Sequence, residues 1–118
     1  MTKNEIIKRF LINKNQELLI DEYLRLLLQY SLHTNLVGRS TLVDPWTSHV
    51  LDCLQILPLI KNKKRAILDM GTGAGLPGFL LKICGCNDVT LIDSNGKKIN
   101  FLKSVNTKLN MDLNIIKK

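Results

Sequence analysis

Long hydrophobic runs are missing from this 118-residue chain. Stretches such as 26–28 and 56–60 fall far short of the roughly 18 apolar residues that a membrane-spanning helix needs. The amino terminus, Met1-Thr2-Lys3-Asn4-Glu5, has neither the apolar core nor the cleavage site of a secretion signal. These absences give the expectation of a cytoplasmic protein with no membrane contact. Aromatic residues are scarce (one Trp, two Tyr, three Phe), so Leu, Ile and Val must build most of the core. Cysteine is sparse and odd in number: Cys53, Cys84 and Cys86. Cys84-Gly85-Cys86 is tighter than the usual zinc or redox spacing, and no second Cys or His pair lies nearby. Free reduced thiols and no bound metal are expected. Acidic residues are outnumbered, ten against seventeen basic, for a net charge of +7. Such a field favours a polyanionic partner. The basic residues gather at Lys61-Asn62-Lys63-Lys64-Arg65 and at Lys97-Lys98, on either side of the most distinctive segment, which points to RNA.

An apolar fraction of 45% is that of an ordinary folded chain, and the length allows one domain. No internal repeat or low-complexity tract interrupts it. Ile6, Ile7, Phe10 and Leu11 recur at helical spacing, predicting a helix over about 3–12. Asn13-Lys14-Asn15 reads as a polar break. A longer amphipathic helix is expected over about 16–32, with Leu19, Tyr23, Leu26, Leu27 and Tyr30 on one face. Residues 35–40 read as a loop. Asp44-Pro45 is a favourable helix start, Val50, Leu54 and Leu57 form a helical stripe, and Pro58 is expected to close that helix. From Ala66 onward the pattern alternates: a buried strand, a glycine turn, a helix, a strand at Val89 to Ile92, a helix over 97–109 and a third strand at Leu113 to Ile116. That alternation predicts a parallel sheet with right-handed crossovers.

The glycine turn carries the most information. The run Ala66-Ile67-Leu68-Asp69-Met70 opens into Gly71-Thr72-Gly73-Ala74-Gly75-Leu76-Pro77-Gly78. Glycine tolerates positive φ and lets another molecule approach the backbone, so a strand-to-helix turn this rich in it is suited to a ligand. The second strand ends in Asp93, roughly 20 residues on from the glycines, where a Rossmann-type unit places the acid that takes ribose hydroxyls. The pair implies a nucleoside cofactor. A dinucleotide fingerprint fails when counted from Gly71 but is met by Gly73, Gly75 and Gly78, so spacing alone leaves a nicotinamide or flavin enzyme open. Asp69 suits either direct ligand contact or bonding of the turn's own amides. Pro77 is expected in the first turn of the following helix, and Trp46 as a core anchor.

Four blocks narrow the choice: Asn35-Leu36-Val37, Trp46-Thr47-Ser48-His49-Val50-Leu51-Asp52, the segment Leu68 to Gly78, and Leu91-Ile92-Asp93-Ser94-Asn95-Gly96-Lys97-Lys98. Together they resemble the RsmG family, also called glucose-inhibited division protein B, whose members methylate N7 of a guanine in 16S ribosomal RNA. The resemblance implies an α/β fold: an N-terminal helical region, about 1–60, then over 61–118 the first half of a Rossmann-like class I methyltransferase sheet. It implies S-adenosyl-L-methionine as cofactor, with Gly71 and Leu76 lining its site, Gly73 and Gly75 shaping the loop, and Asp93 holding the ribose. His49 and Asp52 would sit beside the cofactor mouth, and the partner would be 16S ribosomal RNA or the small ribosomal subunit. Two departures stand out. Tyr30-Ser31 occupies the place where the family often has Trp-Asn, and the family's later segments, including the motif that closes over adenine, are absent. A truncated form, a monomer if complete and weakly active alone, is therefore expected. Guanine N7 attacks through a ring lone pair and has no proton to lose, so the absence of a catalytic dyad or triad does not count against an enzyme. The alternatives are a non-catalytic RNA-binding remnant and a nucleotide-binding oxidoreductase fragment.

Overall fold

The computed structural model describes residues 1–118. Helix α1 (Lys3–Arg9) begins at Thr2, whose hydroxyl accepts the Glu5 amide while the Glu5 carboxylate accepts the Thr2 amide. This reciprocal pairing satisfies two of the donors that a helix start leaves free. The helix stops earlier than its apolar spacing suggests because Leu11 turns left-handed, with φ of 54°. Asn13 and Gln16 form the same reciprocal cap, so α2 (Lys14–Ser31) starts within the segment expected to be a break.

Part of the expected loop is a short 3-10 turn, Arg39–Leu42. The helix expected after Asp44-Pro45 is broken up, with a π turn over Trp46–Val50 running into α3 (Leu51–Leu54). It does not reach Pro58, which lies in a further 3-10 turn, Leu57–Leu59. Proline has no N–H to donate to the Leu54 carbonyl four residues back, so the chain tightens before reaching it.

From here the alternation holds. Strands β1 (Ala66–Met70), β2 (Asp88–Asp93) and β3 (Asn114–Lys117) pair in parallel in that order, linked by α4 (Gly78–Ile83) and α5 (Gly96–Leu109). Ile67 lies opposite Val89, and Leu91 opposite Ile115. Asn95 caps α5 by accepting the Lys98 amide, and Asn110 ends it in a left-handed conformation. Pro77 occupies the cap position of α4, one residue before the first turn where it was expected.

Strand order 1-2-3 with right-handed crossovers puts α4 and α5 on the same face of the sheet. The other face is bare: Leu68 is 58% exposed, Met70 71% and Ile116 45%. β1 is therefore not the buried strand its apolar run suggests. It is an edge strand in which Ile67 and Asp69 are partly covered and their neighbours face outward. A parallel strand is buried on both sides only where helices cover both faces. On the covered side, α2 lies across α4 and α5. One apolar core runs from Ile6 to Leu113, with the Tyr23 ring stacked on Phe79 at 4.9 Å between centroids.

Candidate functional site

The glycine turn leaves the carboxyl end of β1, the edge where open α/β sheets take their ligands. Gly71 and Gly73 have φ of +67° and +61°, and a Cβ built on either would meet nothing within 4 Å. Both therefore present open backbone. The other two glycines answer to packing. A Cβ on Gly75 would stand 2.7 Å from Leu102, and one on Gly78 would run into Leu91 and Asp69. Leu76 is half-buried against the core.

Four restraints hold this turn. The Asp69 carboxylate accepts the Thr72 hydroxyl at 2.7 Å and the Gly78 amide at 2.9 Å, bracing the turn against the start of α4. The Thr72 amide donates to the Ile92 carbonyl. From α2, the Tyr23 hydroxyl donates to the Ala74 carbonyl at 2.5 Å across 51 positions of sequence. Tyr23 is fully buried, which pushes its pKa well above that of an ordinary tyrosine and keeps it a donor. The fourth restraint is Asp93, whose Oδ2 accepts the Gly73 amide at 2.8 Å while Oδ1 accepts the Asn95 amide at 2.9 Å. The Asn95 amide, helped by Gly73 and by the charge of Lys98, holds the Asp93 pKa below its ordinary value. Each carboxylate oxygen accepts more than one hydrogen bond, so capacity remains for a further donor.

The structure thus brings Gly71, Gly73 and Asp93 together, with Gly75 serving the shape of the turn. Asp69 bonds the turn itself, one of the two roles its position allowed. His49 has a hydrogen-bond partner of its own. Its Nε2 pairs with Thr41 Oγ1 at 2.8 Å, and burial lowers its pKa against an opposing pull from Asp52. Trp46 is buried and donates its Nε1–H to Asp21. The three cysteines are unpaired and buried. Burial pushes Cys53 up to about 12 and Cys84 to about 11, so neither is a thiolate at neutral pH. Tyr23 is the residue that sequence reasoning placed only in the core. Its signal was available, since a buried tyrosine must bring its hydroxyl to a partner.

The two basic clusters do not share an edge. Residues 61–65 lead into the amino end of β1, whereas Lys97 and Lys98 follow the carboxyl end of β2. Parallel pairing of β3 adds Lys117 to the second group, its Nζ 3.5 Å from where a Cβ on Gly96 would stand. The turn, Asp93 and these lysines therefore occupy one end of the molecule.

Comparison with known proteins places the chain in a family. Three curated relatives, each named ribosomal RNA small subunit methyltransferase G, come from Rhodospirillum rubrum, Mesoplasma florum and Rickettsia rickettsii. The first is 43% identical over 83 residues, covering 70% of this chain and 41% of the relative. The second is 43% identical over 93 residues, covering 78% and 39%. The third is 35% identical over 97 residues, covering 82% and 51%. The chain thus spans about half, or less, of the length of the curated relatives it matches. The family model described as rRNA small subunit methyltransferase G matches residues 15–118, through α2, the glycine turn and all three strands, and the chain belongs to that family, GidB.

Proposed function

We propose that this fold serves methylation of guanine N7 in 16S ribosomal RNA, with S-adenosylmethionine held at the carboxyl edge of the sheet. The observation that carries the reading is the Asp93 carboxylate bonded to the Gly73 amide, beside two glycines whose Cβ positions are open. The residues present fit the cofactor. Gly71 and Gly73 offer bare backbone, Leu76 an apolar contact and Asp93 spare acceptor capacity for ribose hydroxyls, while Gly75 sets the curvature of the turn. The bound cofactor would supply an electrophilic methyl group.

The chain's own part is orientation. Asp93 fixes one end of the nucleoside, and the four restraints keep the turn from rearranging when ligand arrives, so little ordering remains to oppose binding. Guanine N7 carries no proton, so no side chain has to act as a base. Alignment of the two reactants is the main requirement. Calorimetric titration with S-adenosylhomocysteine and, separately, with NAD tests the reading. Binding of the first and not the second is expected, and binding of NAD alone would overturn it.

A further inference from the structure

The chain has four ion pairs, and all of them lie between residues 3 and 25. Every cation beyond Arg25 is without a carboxylate partner. Two of these, Lys97 and Lys98, stand in the first turn of α5, which holds no acid. That end of a helix already carries partial positive charge, which disfavours lysines there. Although the charge of Lys98 helps hold the Asp93 pKa down, neither lysine forms an ion pair. Between this turn and the end of α2 runs a groove of about 490 Å³, bordered by Tyr30, His33, Thr34, Lys97, Asn100 and Ser104. It shares His33 and Thr34 with a second hollow of about 310 Å³ that continues to Arg39. Ser31 lines that hollow, is 8% exposed, and has a buried Oγ with no hydrogen-bond partner. Buried hydroxyls are nearly always bonded, so this one stands out as an unpaired polar group in the wall of the hollow. Tyr30 is held in place by Ser104 at 2.8 Å and by Lys108, which gives the groove a fixed wall.

We propose that these two adjoining hollows, running as one groove from Lys97 past His33 to Arg39, are where a single strand of RNA docks. The inference rests on reading the adjacent carboxyl edge as the methyl-transfer site. Lys97 and Arg39, both exposed, meet phosphates at the two ends. Thr34, Asn100 and Ser104 offer donors and acceptors to the sugar hydroxyls between them. Lys97, at one end of the groove, follows closely on Asn95, whose amide donates to Asp93, so a strand bound at that end is placed on the side of the glycine turn. The residues 61–65, although more densely basic, lead into the amino end of β1, at the edge opposite that turn.

The test uses the full chain and a short fluorescein-labelled single-stranded RNA, read by fluorescence anisotropy over a range of salt. Two double variants carry the same change in charge: Lys97→Glu with Arg39→Glu in the groove, and Lys63→Glu with Lys64→Glu at the far edge. The groove variant is expected to bind RNA at least about tenfold more weakly and to lose about 1.4 from the salt slope, the share of two single-strand phosphate contacts. The far-edge variant is expected to stay within about threefold of the parent. Equal losses in both, or a loss only at the far edge, would overturn the groove. Affinity for S-adenosylhomocysteine, measured on the same proteins, separates the two readings. A parent chain that binds RNA through the groove but not this ligand would refute the cofactor assignment and leave the groove standing.

Discussion

Replacing Tyr23 by Phe removes one oxygen from a fully buried position and leaves the ring on Phe79. The lost atom donates to the Ala74 carbonyl, and Ala74 is itself 4% exposed, so the carbonyl is stranded rather than handed to solvent. An abandoned buried acceptor costs about 1–3 kcal/mol. At an ordinary denaturant sensitivity of about 2 kcal/mol per molar, the urea midpoint should fall by roughly 0.5–1.5 M. Tyr23→Leu should cost more, about 3–5 kcal/mol, because it also empties the space beside Phe79. The step from the parent to Tyr23→Phe isolates the hydroxyl, and the further step to Tyr23→Leu reports the ring. The loss should also be felt locally, as faster amide exchange at Gly73 and Gly75 than at the strand amides of β2, because the severed bond holds the middle of the turn. An unchanged midpoint with unchanged exchange at the turn would refute the claim that α2 anchors it.

Asp93→Ala should weaken binding of S-adenosylhomocysteine by about 1–3 kcal/mol, measured by calorimetry; an unchanged dissociation constant would remove Asp93 from the site. The Asp93 pKa is depressed in the fold, so its contribution to stability is complete above the ordinary value of 3.8 and is lost as pH falls through the lower folded value. Stability of the parent and of Asp93→Ala should therefore converge in acid, with no difference in their slopes between pH 6 and 8, a window that lies well above both values. Gly78→Ala should destabilise by about 1–3 kcal/mol through collision with Leu91 and Asp69, whereas Gly71→Ala meets no atom and should cost only the left-handed backbone, about 1–2 kcal/mol. Cys53 and Cys84 should resist alkylation at pH 8 in the native state and react once urea unfolds the chain; rapid native labelling would contradict their raised pKa values.

The turn, the parallel alternation and the placing of Asp93 were legible because each leaves a local mark: closely spaced glycines, short apolar runs, an acid at a strand end. Helix limits were less so. Asn13 and Gln16 look like part of a polar break until they are seen to cap each other. Pro58 marks where a helix must be over, not where it stops. Whether β1 was buried could not be read from Ile67 and Leu68, which are apolar whether or not a layer covers them. The answer lies in the number of helices on each face, a property of topology. The grouping of Lys97 with Lys117, and the separation of both from residues 61–65, also comes from strand direction rather than from any spacing along the chain. Tyr23 is the clearest gap, since its partner is 51 residues away and is a backbone carbonyl that no side-chain pattern reveals.

The one-sided sheet gives this molecule two walls that can be rebuilt independently. Every restraint on the glycine turn comes from α2, from the strand ends or from α4; Leu68, Met70 and Ile116 supply none of them. A designer could therefore resurface that face with charged residues, or graft a different covering layer onto it, and leave the geometry of the turn as it is.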